Sequence, residues 1–166
     1  MKKRYFEFRK LSMLVLAGLT IVSCSDDDNG NGNGPVVNPP VTVAPDAAFT
    51  ALTNNNTIAY FNATNLVTPT STLSITALPA AEQIVSIDYR PATGQLYALG
   101  SSSRLYFINE ESGVATALGA AAFSPAISGE NASIDFNPTV DRIRLVTASG
   151  QNLRLHPELG TVVATD

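Results

Sequence analysis

Cysteine is almost missing from this chain: Cys24 is the only one in 166 residues. No disulfide, zinc-thiolate cluster or CxxC redox pair can be built from a single cysteine. Histidine is as scarce, with His156 alone, so a second imidazole for a metal is lacking and any nucleophile–histidine arrangement would have to form around this one ring. There is no tryptophan, and lysine stops at Lys10. From there on the cations are Arg90, Arg104, Arg142, Arg144 and Arg154, against thirteen Asp and Glu after residue 23, a net charge of −8. Such a chain lacks the basic residues that displace counterions from phosphates, which excludes nucleic acid as a partner. Long apolar runs are missing as well. The longest, Leu11 to Val22, has twelve residues, where a helix needs about 20 to cross a ~30 Å hydrocarbon core.

What stands at the start is a targeting segment. MKKRYFEFRK sets five basic residues against Glu7, the apolar run follows, and Ile21-Val22-Ser23-Cys24 closes it. This ending resembles a bacterial lipobox. The resemblance implies that residues 1–23 are a lipoprotein signal peptide and that Cys24 is acylated on its sulfur and its freed amine. Two or more acyl chains hold a protein stably at a membrane where one holds it marginally. The membrane, reached through a lipid anchor, is therefore an expected partner. Residues 24–45 read CSDDDNGNGNGPVVNPPVTVAP, with three contiguous acids, alternating Asn-Gly and scattered prolines. They cannot bury enough apolar surface to offset the entropy of ordering, which predicts a flexible tether. An acidic run after the lipidated Cys resembles an export tag of some Gram-negative lineages, although a solvated linker explains it equally well. The expected location is the bacterial outer membrane.

Residues 46–166 have the size of one domain and no helical periodicity. Short alternating runs bounded by Gly, Pro, Asn and Ser predict an all-β domain. Self-comparison at an offset of 47 shows a repeat. Ser86-Ile87-Asp88-Tyr89 matches Ser133-Ile134-Asp135-Phe136, and Pro91 matches Pro138. Arg104-Leu105-Tyr106-Phe107 matches Asn152-Leu153-Arg154-Leu155 if one residue is inserted, which sets His156 opposite Ile108. Backwards, Ala51-Leu52 matches Ala98-Leu99, Ile58 matches Leu105, and Asn62 matches Asn109, a partial copy that enters mid-unit. In the middle copy, strands are expected at 84–90, 95–100, 104–109 and 114–118. Val85, Ile87 and Tyr89 would then share one face. Antiparallel four-stranded units of about 47 residues predict an incomplete β-propeller-like domain of about two and a half blades.

The strings ALTNNNTIAYFN, IDYRPATGQLYALGSSSRLYFIN and IDFNPTVDRIRLVTASGQNLRLHPELGTVVATD resemble the domain of unknown function 4394 family, bacterial secreted or envelope proteins of propeller-like repeat character. The resemblance implies no catalytic residues, ligand or cofactor, and it implies that members continue beyond Asp166. A partial set of blades is thus expected, or else a short chain that associates with a second copy through an open blade edge.

Candidate site residues follow from the repeat. Asp88 and Asp135 occupy equivalent places on the polar face of the first strand. They can line a channel and bind a cation or polar ligand, or accept bonds from turn amides; recurrence favours the second. Arg142 and Arg144 flank Ile143, with Arg154 nearby, and their forks suit a carboxylate or acidic sugar. Surface pairs with Asp141, Glu158 or an acid of the neighbouring unit are the simpler expectation. His156 is the lone imidazole, read as a half-exposed strand residue. No metal set is expected, since a DxDxDG spacing is absent. The leading expectation is a non-enzymatic binding or adhesion module for a polar ligand, glycan or protein; the alternative is a propeller hydrolase or lyase.

Overall fold

The computed structural model describes residues 44–166. The expected signal peptide, Cys24 and the tether as far as residue 43 lie outside the described residues. Eleven strands form three antiparallel meanders, with no helix among the described residues. The first sheet holds β1 (Ala48–Thr53), β2 (Thr57–Asn62) and β3 (Ser71–Ser74). The second holds β4 (Ile84–Tyr89), β5 (Leu96–Gly100), β6 (Arg104–Ile108) and β7 (Ala115–Leu118). The third holds β8 (Ser133–Asn137), β9 (Arg142–Val146), β10 (Asn152–Leu155) and β11 (Val162–Thr165).

Register shows the repeat directly. Asp88 lies opposite Tyr97 and Asp135 opposite Arg144, each 47 residues on. Leu52 opposite Ile58, Leu99 opposite Leu105, and Val146 opposite Asn152 are one pair three times. The first sheet therefore corresponds to strands two, three and four of the unit.

These registers correct the expected insertion. The offset of 47 holds through β10, so Asn152–Leu155 matches Leu105–Ile108 and His156 matches Asn109. The physical reason is facing: Tyr106 and Ile108 pack toward the first sheet, as Leu153 and Leu155 pack toward the second. With one residue inserted, Leu105 and Phe107 of β6 line up with Leu153 and Leu155 of β10, which made the shifted alignment look better in sequence. The irregularity falls one strand later, as a bulge between Arg154 and Leu155 against β11.

The second sheet is apolar on both sides. Tyr97, Leu99 and Leu105 join Ile134, Phe136, Ile143, Leu145, Leu153 and Leu155 in one core. Leu96, Ala98, Tyr106 and Ile108 join Ile58 and Ile75 in the other. Each fully buried aliphatic side chain contributes about 1.5–3 kcal/mol, so the sheets are held mainly by these two layers. A register shift between Ile84 and Ser86 alters the expected face of β4: Ile84 is buried in the core, and Val85, expected beside Ile87, is exposed.

Successive sheets also touch through glycines at equivalent turns. A Cβ on Gly160 (φ +62°) would stand 2.6 Å from the Leu118 carbonyl oxygen, and one on Gly113 (φ +75°) would collide with the Ser74 carbonyl. Left-handed backbone and close approach act together here. Gly160→Ala should lower stability by roughly 2 kcal/mol in urea denaturation.

Candidate functional site

Two of the open concavities of the described residues gather the candidate side chains. The first is a groove of about 680 Å³ between β1 and β4, walled by Phe49, Thr50, Tyr60, Phe61, Asp88 and Tyr89. Alternation on β1 and β2 places Phe49 and Phe61 on one face, where their rings stack at 5.4 Å. Phe49 is 44% exposed. On the other side, Tyr60 and Tyr89 both donate to Glu110 Oε1, at 3.1 and 2.6 Å, and Thr50 Oγ1 meets the Tyr89 hydroxyl at 3.0 Å. Burial, then the bond to Glu110, pushes the Tyr60 phenol up to about 12, and the same two causes raise Tyr89. Both phenols stay protonated at neutral pH and spend their hydrogens on Glu110, so the groove offers aromatic faces and fixed hydroxyl oxygens that accept, a surface suited to holding a ligand.

The second concavity, of about 450 Å³, lies on the third sheet and is lined by Asn137, Val140, Arg142, Arg144, Arg154 and Val163. The structure thus brings the expected arginines together, but not with the expected partners. Arg142 Nη1 donates to the carbonyl of Asp141 at 2.8 Å. Arg144 donates to Asn152 Oδ1 at 2.9 Å and pairs with Asp166, which also receives Arg154 Nη2 at 2.9 Å.

Asp141 and Glu158 belong instead to Arg90, which sequence reasoning passed over. Arg90 is 8% exposed. Its Nε and Nη2 fork onto the two carboxylate oxygens of Asp141, and Nη2 reaches Glu158 Oε1 at 3.2 Å. The signal was present: positions 90 and 141 are where the copies differ, Arg90 against Asn137 and Gly94 against Asp141.

The repeated acids take different places. Asp88 Oδ1 accepts the Tyr89 amide at 2.9 Å, and Oδ2 accepts the Phe136 amide of the neighbouring sheet at 2.7 Å. Ser86 Oγ accepts the Ile134 amide at 3.0 Å beside it. These bonds join β4 to β8 along their length. Asp135, one unit on, is exposed.

His156 acts as a turn cap. Asn62 Oδ1 accepts the Thr64 amide at 2.9 Å, Asn109 Oδ1 the Glu111 amide at 2.9 Å, and His156 Nδ1 the Glu158 amide at 3.2 Å. Three equivalent side chains thus bond the amide two residues on, as Asn does in an Asx-turn. His156→Asn should change unfolding free energy by no more than about 0.5 kcal/mol, which chemical denaturation can measure.

With this geometry in view, comparison by sequence is informative. The model of the family described as Domain of unknown function (DUF4394) matches residues 57–166. The chain belongs to the DUF4394 family. The match covers the whole of the second and third sheets of the DUF4394 domain and begins at β2 of the first. A search of the curated proteins finds no match.

Proposed function

We propose that this DUF4394 chain is a lipoprotein of the bacterial cell envelope whose residues 46–166 form a propeller-like, non-enzymatic binding module. The observation that carries the choice of binding over catalysis is the position of His156. The residue best equipped for proton transfer is a third copy of a turn cap otherwise built from asparagine. The lipobox pattern supports the anchor, and three successive meanders, the second and third joined through β4 and β8, support the propeller-like reading. The groove beside β1 is the binding surface of this reading, for a polar ligand, glycan or protein.

Two experiments test it. Cells fed a palmitate analogue should label the chain, and Cys24→Ala should lose the label and leave the membrane fraction. Retention of both would sink the anchor. A glycan and peptide array read beside a hydrolase and lyase panel should return binding without turnover. Turnover abolished by His156→Asn would establish the enzyme reading instead.

A further inference from the structure

The second and third sheets carry four strands, and the first carries three among the described residues. Register identifies the missing position as strand one, beside β1. No strand pairs with that edge among the described residues, and its amides face outward in a defined way. The Ala63 amide donates to the Ala47 carbonyl, so alternation turns the amides of Ala48, Thr50 and Leu52 away from β2, toward the groove. Across the groove stands β4. Its Arg90 amide donates to Gln95, so alternation turns the amide of Ile87 toward the same space, along with that of Tyr89, which Asp88 Oδ1 receives. They are the counterparts of the Ile134 and Phe136 amides, which Ser86 Oγ and Asp88 Oδ2 receive one unit on.

The geometry points to an extended strand as the occupant of this groove, one reading Ser-apolar-Asp-aromatic and supplied by another polypeptide segment of this repeat type. Its backbone pairs with the β1 edge, its Ser accepts the Ile87 amide, and its Asp takes over the Tyr89 amide from Asp88 Oδ1. Edge addition of this kind takes affinity from main-chain bonds and specificity from alternate side chains. The chain's own flank does not carry the pattern. At an offset of 47 it places Pro39 and Val41 where Ser86 and Asp88 stand, with neither acceptor and with a proline in the strand. The proposal rests on the groove being a binding surface and names what that surface takes.

The test titrates the full chain, in detergent, into a fluorescein-labelled peptide IVSIDYRP and follows anisotropy. Binding should be saturable and should weaken at least tenfold when the peptide carries Ser86→Ala and Asp88→Ala. In the protein, Thr50→Pro removes an amide facing the groove and should abolish binding, whereas Thr50→Ala should leave it. The altered peptide needs no change in the protein, so the result stands even if Thr50→Pro fails to fold. Equal affinity for both peptides overturns the proposal. A glycan that binds in the peptide's place and is lost with Thr50→Pro overturns it too, while leaving the binding-module reading intact.

Discussion

Arg90→Ala should lower the unfolding free energy by about 3 kcal/mol, measured by urea denaturation near pH 7. Three losses add to this. The guanidinium is nearly enclosed, and removing one partner of an enclosed ion pair costs about 3–5 kcal/mol because the other charge stays behind. Asp141 is about a third exposed, so water screens part of that cost. Glu158 is two-thirds exposed and adds little, as surface pairs do. Against this discount, the aliphatic stem of Arg90 leaves a gap between the second and third sheets. The Tyr97 hydroxyl also loses the Nη1 donor 3.4 Å away. Arg90→Lys keeps the charge but not the fork, and should fall between wild type and Arg90→Ala. A double-mutant cycle with Asp141→Asn should give a coupling of about 1–2 kcal/mol. A coupling near zero would reduce Arg90 to a packing residue.

The pH dependence has a definite sign. The bonds from Arg90 outweigh burial and hold the Asp141 carboxyl below its ordinary value of 3.8. A group with a lowered folded pKa contributes stability above its unfolded pKa and loses it as pH falls through the folded one. The gap between wild type and Arg90→Ala should therefore be flat from about pH 5 to 8 and narrow below about pH 4. A gap that widened in acid would contradict the assignment.

Strands and repeat were legible in the sequence because both are local. Period-two alternation and turn residues placed β4 to β7 at 84–90, 95–100, 104–109 and 114–118, and the observed ends differ by at most one residue. The partial first copy was legible for the same reason. What misled was the alternate apolar pair Leu105 and Phe107 of β6 beside Leu153 and Leu155 of β10, which cannot tell one face from the other until a neighbouring sheet is present. That one-residue slip hid the equivalence of His156 with Asn109. Asp88 was expected to accept amides of the turn that follows; it accepts instead the Tyr89 amide within β4 and the Phe136 amide of β8, a contact 48 residues away that no turn signal encodes. Arg90 and Asp141 lie 51 residues apart. Each was visible as a break in the repeat, and only the stacking of sheets turns two breaks into one pair.

Glu82→Ala should cost about 3 kcal/mol or more, the other large effect expected of a single substitution, and nothing in the repeat pointed to it. Glu82 is 4% exposed in the loop before β4. Its Oε1 accepts Ser101 Oγ and the Ser102 amide, both at 2.8 Å; its Oε2 accepts Tyr106 at 2.8 Å and also the Ser102 hydroxyl. Removing the carboxylate orphans donors around Tyr106, which is 1% exposed, and each buried orphan costs about 1–3 kcal/mol. Gly100 makes room for the group, since a Cβ there would stand 2.8 Å from the Glu82 carboxylate. Burial alone would push the Glu82 carboxyl up, but the bonds from Ser102, Ser101 and Tyr106 outweigh it and bring it below 4.5. Burial, then the bond to Glu82, raises the Tyr106 phenol to about 12. The acid limb thus loses the Glu82 contribution as pH falls below about 4.5 and through the folded value. The alkaline limb loses stability from about pH 10 upward, where the unfolded phenol ionises and the folded one does not. Glu82→Gln, which brings an NH2 group to a cage of donors, should lose about 1–2 kcal/mol. It should also flatten the acid limb while leaving most of the alkaline one, because Tyr106 stays buried and protonated. A Glu82→Gln protein as stable as wild type at pH 7 would show that the cage holds the side chain by shape alone. The counterpart of Glu82 in the third sheet is Gly129, so this carboxylate is a single, unrepeated fastening between the loop before β4 and the β5–β6 hairpin.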